Sequence, residues 1–395
     1  LSEKFAGYRK FAQHKLAMRK FHHKRAHEQK LYAAWMARLA QTHPQVFAGV
    51  NLSFGGIRHH LMAIQKHSKL RVELTPNEQA FPGFDNIPPH LREELIQYVP
   101  NQCLAIHSHV FPWMIHWGHN AQKNGIRWIH TYHLNYFPEH GKVGLEPWQE
   151  QINEALLHEA PQADIRLSVA KWQRDDLRNQ NGIETYYLPN GVDVENCDLG
   201  CAERFVKKTQ QNDFVLYVGR NDPVKNPAAF VQLAQQMPER SFVMLGQGLS
   251  AETMLSEFNQ ETPSNVSIYG ATDHRGVQDA IAASAAVVVT SKREGLPTLV
   301  LEAMTHGKPI VVPEEAGCLE AIDNGRYGFV YEPDNILDLA QKTRDALVDT
   351  NRCTESRNRV LKEYDWRQVA KTLDIVYAEP SLSKVREILA EAQDN

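Results

Sequence analysis

Arg293-Glu294-Gly295-Leu296-Pro297-Thr298-Leu299-Val300-Leu301-Glu302, continued by Ala303-Met304-Thr305-His306-Gly307-Lys308-Pro309, is the stretch around which this chain is organised. Ahead of it, Ala286-Val287-Val288-Val289-Thr290 is a short apolar run rich in β-branched residues, the pattern of a buried strand. Behind it, Pro297 occupies the place of a first helical residue, and Leu299, Leu301 and Met304 supply an apolar stripe to the following turns. Glu294 and Glu302 therefore bracket a strand-to-helix turn, the first on the loop and the second in the helix. The free N–H groups of such a turn attract anions. Amides for a phosphate and carboxylates for sugar hydroxyls together make a cradle for a nucleotide sugar.

The surroundings bound what this cradle can belong to. The chain has 395 residues, enough for two ordinary domains, and its 42% hydrophobic and 23% charged content is that of a globular protein. A net charge of −4 argues against a general nucleic-acid binder. No apolar run reaches the roughly 20 residues that a membrane-spanning helix needs. The five cysteines (Cys103, Cys197, Cys201, Cys318 and Cys353) form no Cys-x-x-Cys pair, so reduced thiols and a cytoplasmic location are expected.

Residues 1–45 differ from the rest: ten Lys/Arg stand against Glu3 and Glu28, and Phe5, Tyr8, Phe11, Met18, Phe21, Leu31, Trp35 and Leu39 recur at loosely helical spacing. Two readings stand for this basic helical extension: peripheral contact with an anionic membrane at its inner face, or packing on the body of the protein or another subunit. From Val46 onward strands alternate with helices, near residues 46–50, 70–74, 103–107, 127–130, 165–169 and 185–188. A second set follows at residues 214–219, 242–246, 266–269, 286–289, 310–312 and 328–331. Such alternation predicts parallel sheets covered on both faces. We divide the chain into the extension, an N-terminal domain over 46–195, a C-terminal domain over 196–365, and a helical tail over 366–395 packing back on the first domain. The ligand is expected in the crevice between the two Rossmann-like units, at the carboxyl ends of the strands.

Four further places open into that crevice. Val218-Gly219-Arg220-Asn221-Asp222-Pro223-Val224-Lys225-Asn226-Pro227 ends a strand and projects two cations from the next loop; Arg can bind phosphate through two parallel bonds and Lys as a point charge. An isolated pair of this kind is usually solvated, and its place at a strand's end is what singles it out. Gly246-Gln247-Gly248 follows another strand. Gly55-Gly56 at a strand-to-helix turn permits either a close backbone approach to phosphate or simply a positive φ. His107-Ser108-His109 and His130-Thr131-Tyr132-His133 each end a strand; we read His107 and His130 as core histidines and His133, then His109, as facing the ligand. His116 and His119 share a helix face but lack a third ligand, so no metal site is expected there. The chain contains no Asp-x-Asp.

Glu294-Gly-Leu-Pro-Thr-Leu-Val-Leu-Glu302-Ala-Met-x-x-Gly-x-Pro closely resembles the signature of the retaining glycosyltransferases of family 4, which have the two-domain GT-B fold. Ser168 before Ala170-Lys171-Trp172, the turn Pro189-Asn190-Gly191-Val192-Asp193, and Gly317-Cys318-Leu319-Glu320 are similar to further landmarks of that family. The resemblance spans roughly residues 46–380 and is strongest in the second half. It implies that Arg220 and Lys225 hold the donor's diphosphate, that Gly246 lies near the base, and that Glu302 binds the ribose. It also implies that Gly295, Leu296, Pro297 and Thr298 bring amides to the sugar and phosphates, with Glu294 and His133 beside the reacting sugar and Gly55 and Gly56 near phosphate. Asn226 stands where that family often has Gly.

The expected activity is transfer of a sugar from a nucleotide diphosphate, a UDP- or GDP-sugar, to a glycan, lipid-linked or small-molecule hydroxyl, without metal or other cofactor. The rivals are a GT-B nucleotide-sugar epimerase and a catalytically silent scaffold or partner subunit. An NAD enzyme is disfavoured, since no Gly-x-Gly-x-x-Gly follows a first strand.

Overall fold

The computed structural model describes residues 2–49, 56–75, 87–133, 147–349 and 351–392, with side chains from residue 18 onward except at 351 and 354. Gly55 lies outside these residues. Two parallel sheets carry the architecture. In the first, β1 (Val46–Ala48), β2 (Val72–Leu74), β3 (Ala105–Ser108), β4 (Arg127–Tyr132), β5 (Ile165–Ser168) and β6 (Tyr186–Tyr187) lie in the order β2-β1-β3-β4-β5-β6. In the second, β7 (Val215–Val218), β8 (Phe242–Leu245), β9 (Val266–Tyr269), β10 (Ala286–Val288), β11 (Ile310–Pro313) and β12 (Phe329–Tyr331) follow the order β12-β11-β10-β7-β8-β9. Each strand overlaps a run that the sequence predicts to be extended, with β3, β4 and β11 continuing one or two residues past its end.

Successive strand residues point to opposite faces, so a sheet buried on both sides splits each strand between two cores. Leu216, Val243, Val287 and Val312 join one apolar cluster, while Val215, Met244, Val288 and Val311 join another. The first sheet behaves alike: Val46, Ala105 and Ile129 face one cluster, and Phe47 and Ile106 the other. Both sheets reverse strand order beside their first strand, between β1 and β3 and between β7 and β10. These reversals open a crevice at the carboxyl ends.

The basic extension forms one helix, Ser2–Thr42. Glu28, Tyr32, Trp35 and Leu39 form its buried stripe; the three apolar residues pack on Leu91, Leu95, Trp113 and Trp117, and Trp35 Nε1 donates to Glu73 Oε1 at 2.9 Å. Arg38 also pairs with Glu73. Residues 18–27 remain exposed, including Met18 and Phe21. The polar stretch after Asp193 holds two short helices, Val194–Asp198 and Ala202–Thr209, because Asp193 caps the first and Cys197 and Phe205 anchor them in the second core. At the other end, helices Trp366–Ala378 and Leu382–Glu391 cross back, and Trp366, Leu373, Val376 and Leu389 bury in one cluster with Val46 and Leu74 of the first sheet and Leu61 of helix Gly56–His67. All five cysteines are free thiols. No helix among the described residues is long and apolar enough to cross a membrane.

Candidate active site

The loops after β7 and β10 are laced together. Asp222 organises the first: its Oδ1 accepts from Val224 N–H at 2.9 Å and its Oδ2 from Arg220 Nη2 at 2.8 Å. Asn226 then adopts φ +49° to start helix Pro227–Gln236. That left-handed conformation is open to Gly and, among other residues, best tolerated by Asn, which accounts for Asn at this position. Thr290 Oγ1 donates to the carbonyls of Lys225 and Asn226, both at 2.9 Å, and Lys292 N–H reaches Val224 O at 2.8 Å. The lacing sets Lys225 Nζ 2.5 Å from Glu294 Oε1, with the carboxylate side chain only 13% exposed.

Below this pair Glu294 N–H donates to Glu315 Oε1 at 3.2 Å, and Glu315 also caps the helix Ala316–Ala321. Burial pushes the Glu315 carboxyl up to about 7, against the pull of its backbone bonds and with the help of the Glu294 charge. Helix Thr298–Thr305 begins one residue later than the sequence suggests: Pro297 is its cap, in extended conformation, and offers no side-chain bond to the free amides. Leu296 and Pro297 are buried and Thr298 is half-buried at this opening. On the neighbouring turns Gly246 sits so tightly that a Cβ there would lie 1.7 Å from Gly219 O.

Glu302 forms a second pole. It is 7% exposed, and its oxygens meet His274 Nε2 at 3.2 Å and Gln278 Nε2 at 3.0 Å. Burial alone would raise its carboxyl, but the His274 bond and charge outweigh it and hold the group below the usual range. His274 responds in kind: burial lowers it, and the Glu302 carboxylate lifts it above its ordinary value. The His59 ring of the first domain lies 4.4 Å from that of His274. Two glutamates eight apart thus serve different neighbours, Glu294 a lysine and Glu302 a histidine–glutamine pair.

The opposite wall comes from the first sheet. A Cβ on Gly295 would stand 2.1 Å from His133 O, so only glycine lets the β10 loop close on β4. Trp172 Nε1 donates to Gly295 O at 2.6 Å, and Glu320 accepts from the N–H groups of Lys171 and Trp172, both at 2.8 Å. His107 and His130 are fully buried, as core histidines should be; His107 bonds Tyr377 Oη and Thr131 Oγ1, both at 2.7 Å, and His130 Nδ1 meets Ser108 Oγ at 2.8 Å. His109 Nδ1 and His133 Nε2 are 2.8 Å apart. His116 pairs with Glu159 and His119 stacks on Trp128, so that helical pair shares no ligand. Gly56 opens helix Gly56–His67 with nothing near its missing Cβ.

Arg220, Lys225, Gly246, Glu294, Gly295, Pro297 and Thr298 therefore gather at the β7–β10 reversal, with Glu302 at the far side of the same turn and His133 across the crevice. Sequence reasoning missed Asp222, His274, Gln278 and Glu315. A weak signal existed for His274, which follows the helix cap Asp273 just beyond a strand and has Gln278 one turn later.

This arrangement has known counterparts. The family model described as Glycosyl transferases group 1 matches residues 202–367, and the one described as Glycosyltransferase Family 4 matches residues 23–196. The chain belongs to the family 4 glycosyltransferases. The second match begins inside the long N-terminal helix, earlier than the sequence resemblance reaches. Glycogen synthase of Mycobacterium tuberculosis is 27% identical over 269 residues, covering 65% of this chain and 64% of that protein. An Escherichia coli UDP-Gal:alpha-D-GlcNAc-diphosphoundecaprenol alpha-1,3-galactosyltransferase is 26% identical over 194 residues, covering 45% of this chain and 50% of the relative. The chain thus spans about two thirds of the former's length and half of the latter's. Among solved structures, sucrose-phosphate synthase from Thermosynechococcus elongatus superposes with TM-score 0.68 at 19% identity, over 85% of this chain and 98% of that one. Anabaena Alr3699/HepE in complex with UDP and glucose gives 0.67 at 18%, over 85% and 99%. These glycosyltransferase neighbours share the GT-B fold with this family 4 chain.

Proposed function

We propose that this chain moves a sugar from a nucleotide-diphosphate donor to an acceptor hydroxyl with retention of configuration, and that no metal is needed at the diphosphate. The observation that carries the reading is the Lys225–Glu294 contact beside a helix N-terminus without a side-chain cap, at the strand reversal of the second sheet. As the glycosidic bond breaks, negative charge grows on the departing diphosphate; Lys225, Arg220 and the amides at Thr298 stabilise it. Glu302, kept ionised by His274, accepts from the ribose hydroxyls, and Gly246 lets the base approach. Glu294 orients the sugar. Because both carboxylates are engaged by neighbours, neither is placed to act as a free nucleophile of the kind a two-carboxylate glycosidase uses. Front-face attack, with the leaving phosphate taking the acceptor's proton, then retains configuration. The acceptor enters along the first domain near His133.

The UDP in the Anabaena neighbour and the galactosyl and glucan chemistry of the curated relatives favour UDP-sugars as first probes. Thermal stabilisation by UDP-, GDP- and ADP-sugars should single out one base. Lys225→Ala and Arg220→Ala should each weaken that donor about tenfold or more, the cost of a lost charge-assisted bond of ~1.5–3 kcal/mol, while the unliganded melting temperature moves little. No stabilisation by any of the three classes at millimolar concentration overturns the reading.

A further inference from the structure

The crevice wall formed by the first sheet contains a histidine cluster of which the transfer reading uses only His133. His60 from helix Gly56–His67, His109 after β3 and His133 after β4 each offer a ring nitrogen, and these three atoms all lie within 4.8 Å of one another. They are 5%, 1% and 8% exposed. No other group of three or more His, Cys, Asp or Glu side chains among the described residues meets this spacing.

Within the cluster, Nε2 of His60 and Nε2 of His109 are buried and have no hydrogen-bond partner; the core His130 has an unpartnered Nε2 as well, so it is the convergence of three rings that singles out this place. A buried polar group without a partner is costly, and two within one cluster invite a ligand. His60 Nδ1 lies 2.8 Å from Asn190 Oδ1, an acceptor, so Nδ1 carries the proton and Nε2 presents its lone pair. A carbonyl oxygen behind a histidine is the usual device for orienting a metal ligand.

We propose that His60, His109 and His133 form a binding site for a divalent transition cation of the zinc class. Neutral imidazoles suit zinc, cobalt and nickel, and bonds of ~2.0–2.1 Å to a tetrahedral ion set ligand nitrogens about 3.3 Å apart. To reach that spacing the rings move together around the ion, and the 2.8 Å contact between His109 Nδ1 and His133 Nε2 opens. Three protein ligands leave one position for water or a substrate oxygen. The site lies under the Gly295 loop, where a Cβ would meet His133 O, so an occupying ion would tie helix Gly56–His67 to the ends of β3 and β4 at the crevice floor. Its ligands come from the first domain, whereas the residues proposed for the diphosphate belong to the second.

The test uses the full chain without an affinity tag, stripped with chelator and equilibrated with zinc or cobalt chloride, then separated from free metal and assayed by elemental analysis. About one ion per chain is expected, with the visible absorption of tetrahedral cobalt in the cobalt form. The stoichiometry should fall by one in His60→Gln and in His109→Gln and stay unchanged in His22→Gln/His23→Gln, a control pair on the exposed N-terminal helix. Circular dichroism identifies any variant that fails to fold. In that event X-ray absorption of the zinc-loaded wild type decides, three imidazole nitrogens in the first shell being expected and fewer than three overturning the site. A wild type that stays metal-free, or a folded His60→Gln variant that binds as the wild type does, also overturns it. Donor stabilisation of the metal-free protein is read separately, so failure of one proposal leaves the other measurable.

Discussion

Glu302 and His274 show how two ordinary side chains become a pH-dependent unit. Glu302 titrates below its usual 4.5, so its contribution to stability is present above that value and fades as pH falls through the lowered folded value. His274 titrates above its usual 6.5, so its contribution is complete below 6.5 and is lost as pH rises through the raised folded value. The ion pair is therefore in full force between 4.5 and 6.5 and weakens on both sides. His59 faces His274 and burial lowers its own titration, so the proton settles on His274. Denaturant unfolding of the wild type and Glu302→Gln across pH should show the largest stability gap in that window. A gap independent of pH would mean that packing, not charge, accounts for the pairing.

At the scale of elements, helices here are completed by residues from elsewhere in the chain. Helix Lys171–Asn181 starts at Ala170, which has no capping side chain, and its first amides are met by Glu320 from beyond the second sheet's β11. Burial raises the Glu320 carboxyl, with the Lys171 and Trp172 amides opposing that rise. Glu320→Ala should cost about 0.5–2 kcal/mol, the range for loss of an N-cap. Because the cap spans the two halves, it should also loosen the Trp172–Gly295 bond beside the crevice. The midpoint of chemical unfolding and the donor's dissociation rate test the two effects, and Glu320→Gln should restore part of each. The N-terminal helix divides in the same physical terms: Trp35 is held by packing and by Glu73, while Phe21 is half exposed.

At the scale of the molecule, the last helices tie the end of the chain to its beginning. Tyr377 Oη meets His107 Nδ1 at 2.7 Å, across 270 positions of sequence, and Trp366 lies in the same cluster as Val46. Tyr377→Phe should leave a buried imidazole nitrogen unpaired and cost about 1–3 kcal/mol in the unfolding midpoint, while donor affinity holds. A fall in donor affinity with no loss of stability would contradict this purely structural role. How much of this was legible beforehand follows the range of the interactions. Alternation of apolar runs with helical stretches determined two doubly wound sheets, because burial on both faces forces that pattern locally. The Glu294–Glu302 turn and the Arg220–Lys225 loop were readable because each is a contiguous strand-end segment. The sequence also carried the basic helix and its aromatic residues, but not which of them are buried, since that depends on Leu91 and Trp117 from distant helices. Only the tertiary structure paired Lys225 with Glu294, gave His274 to Glu302, and brought His60, His109 and His133 together. Those contacts join residues that no local spacing links; strand order and helix packing within each sheet's own half of the molecule bring them together.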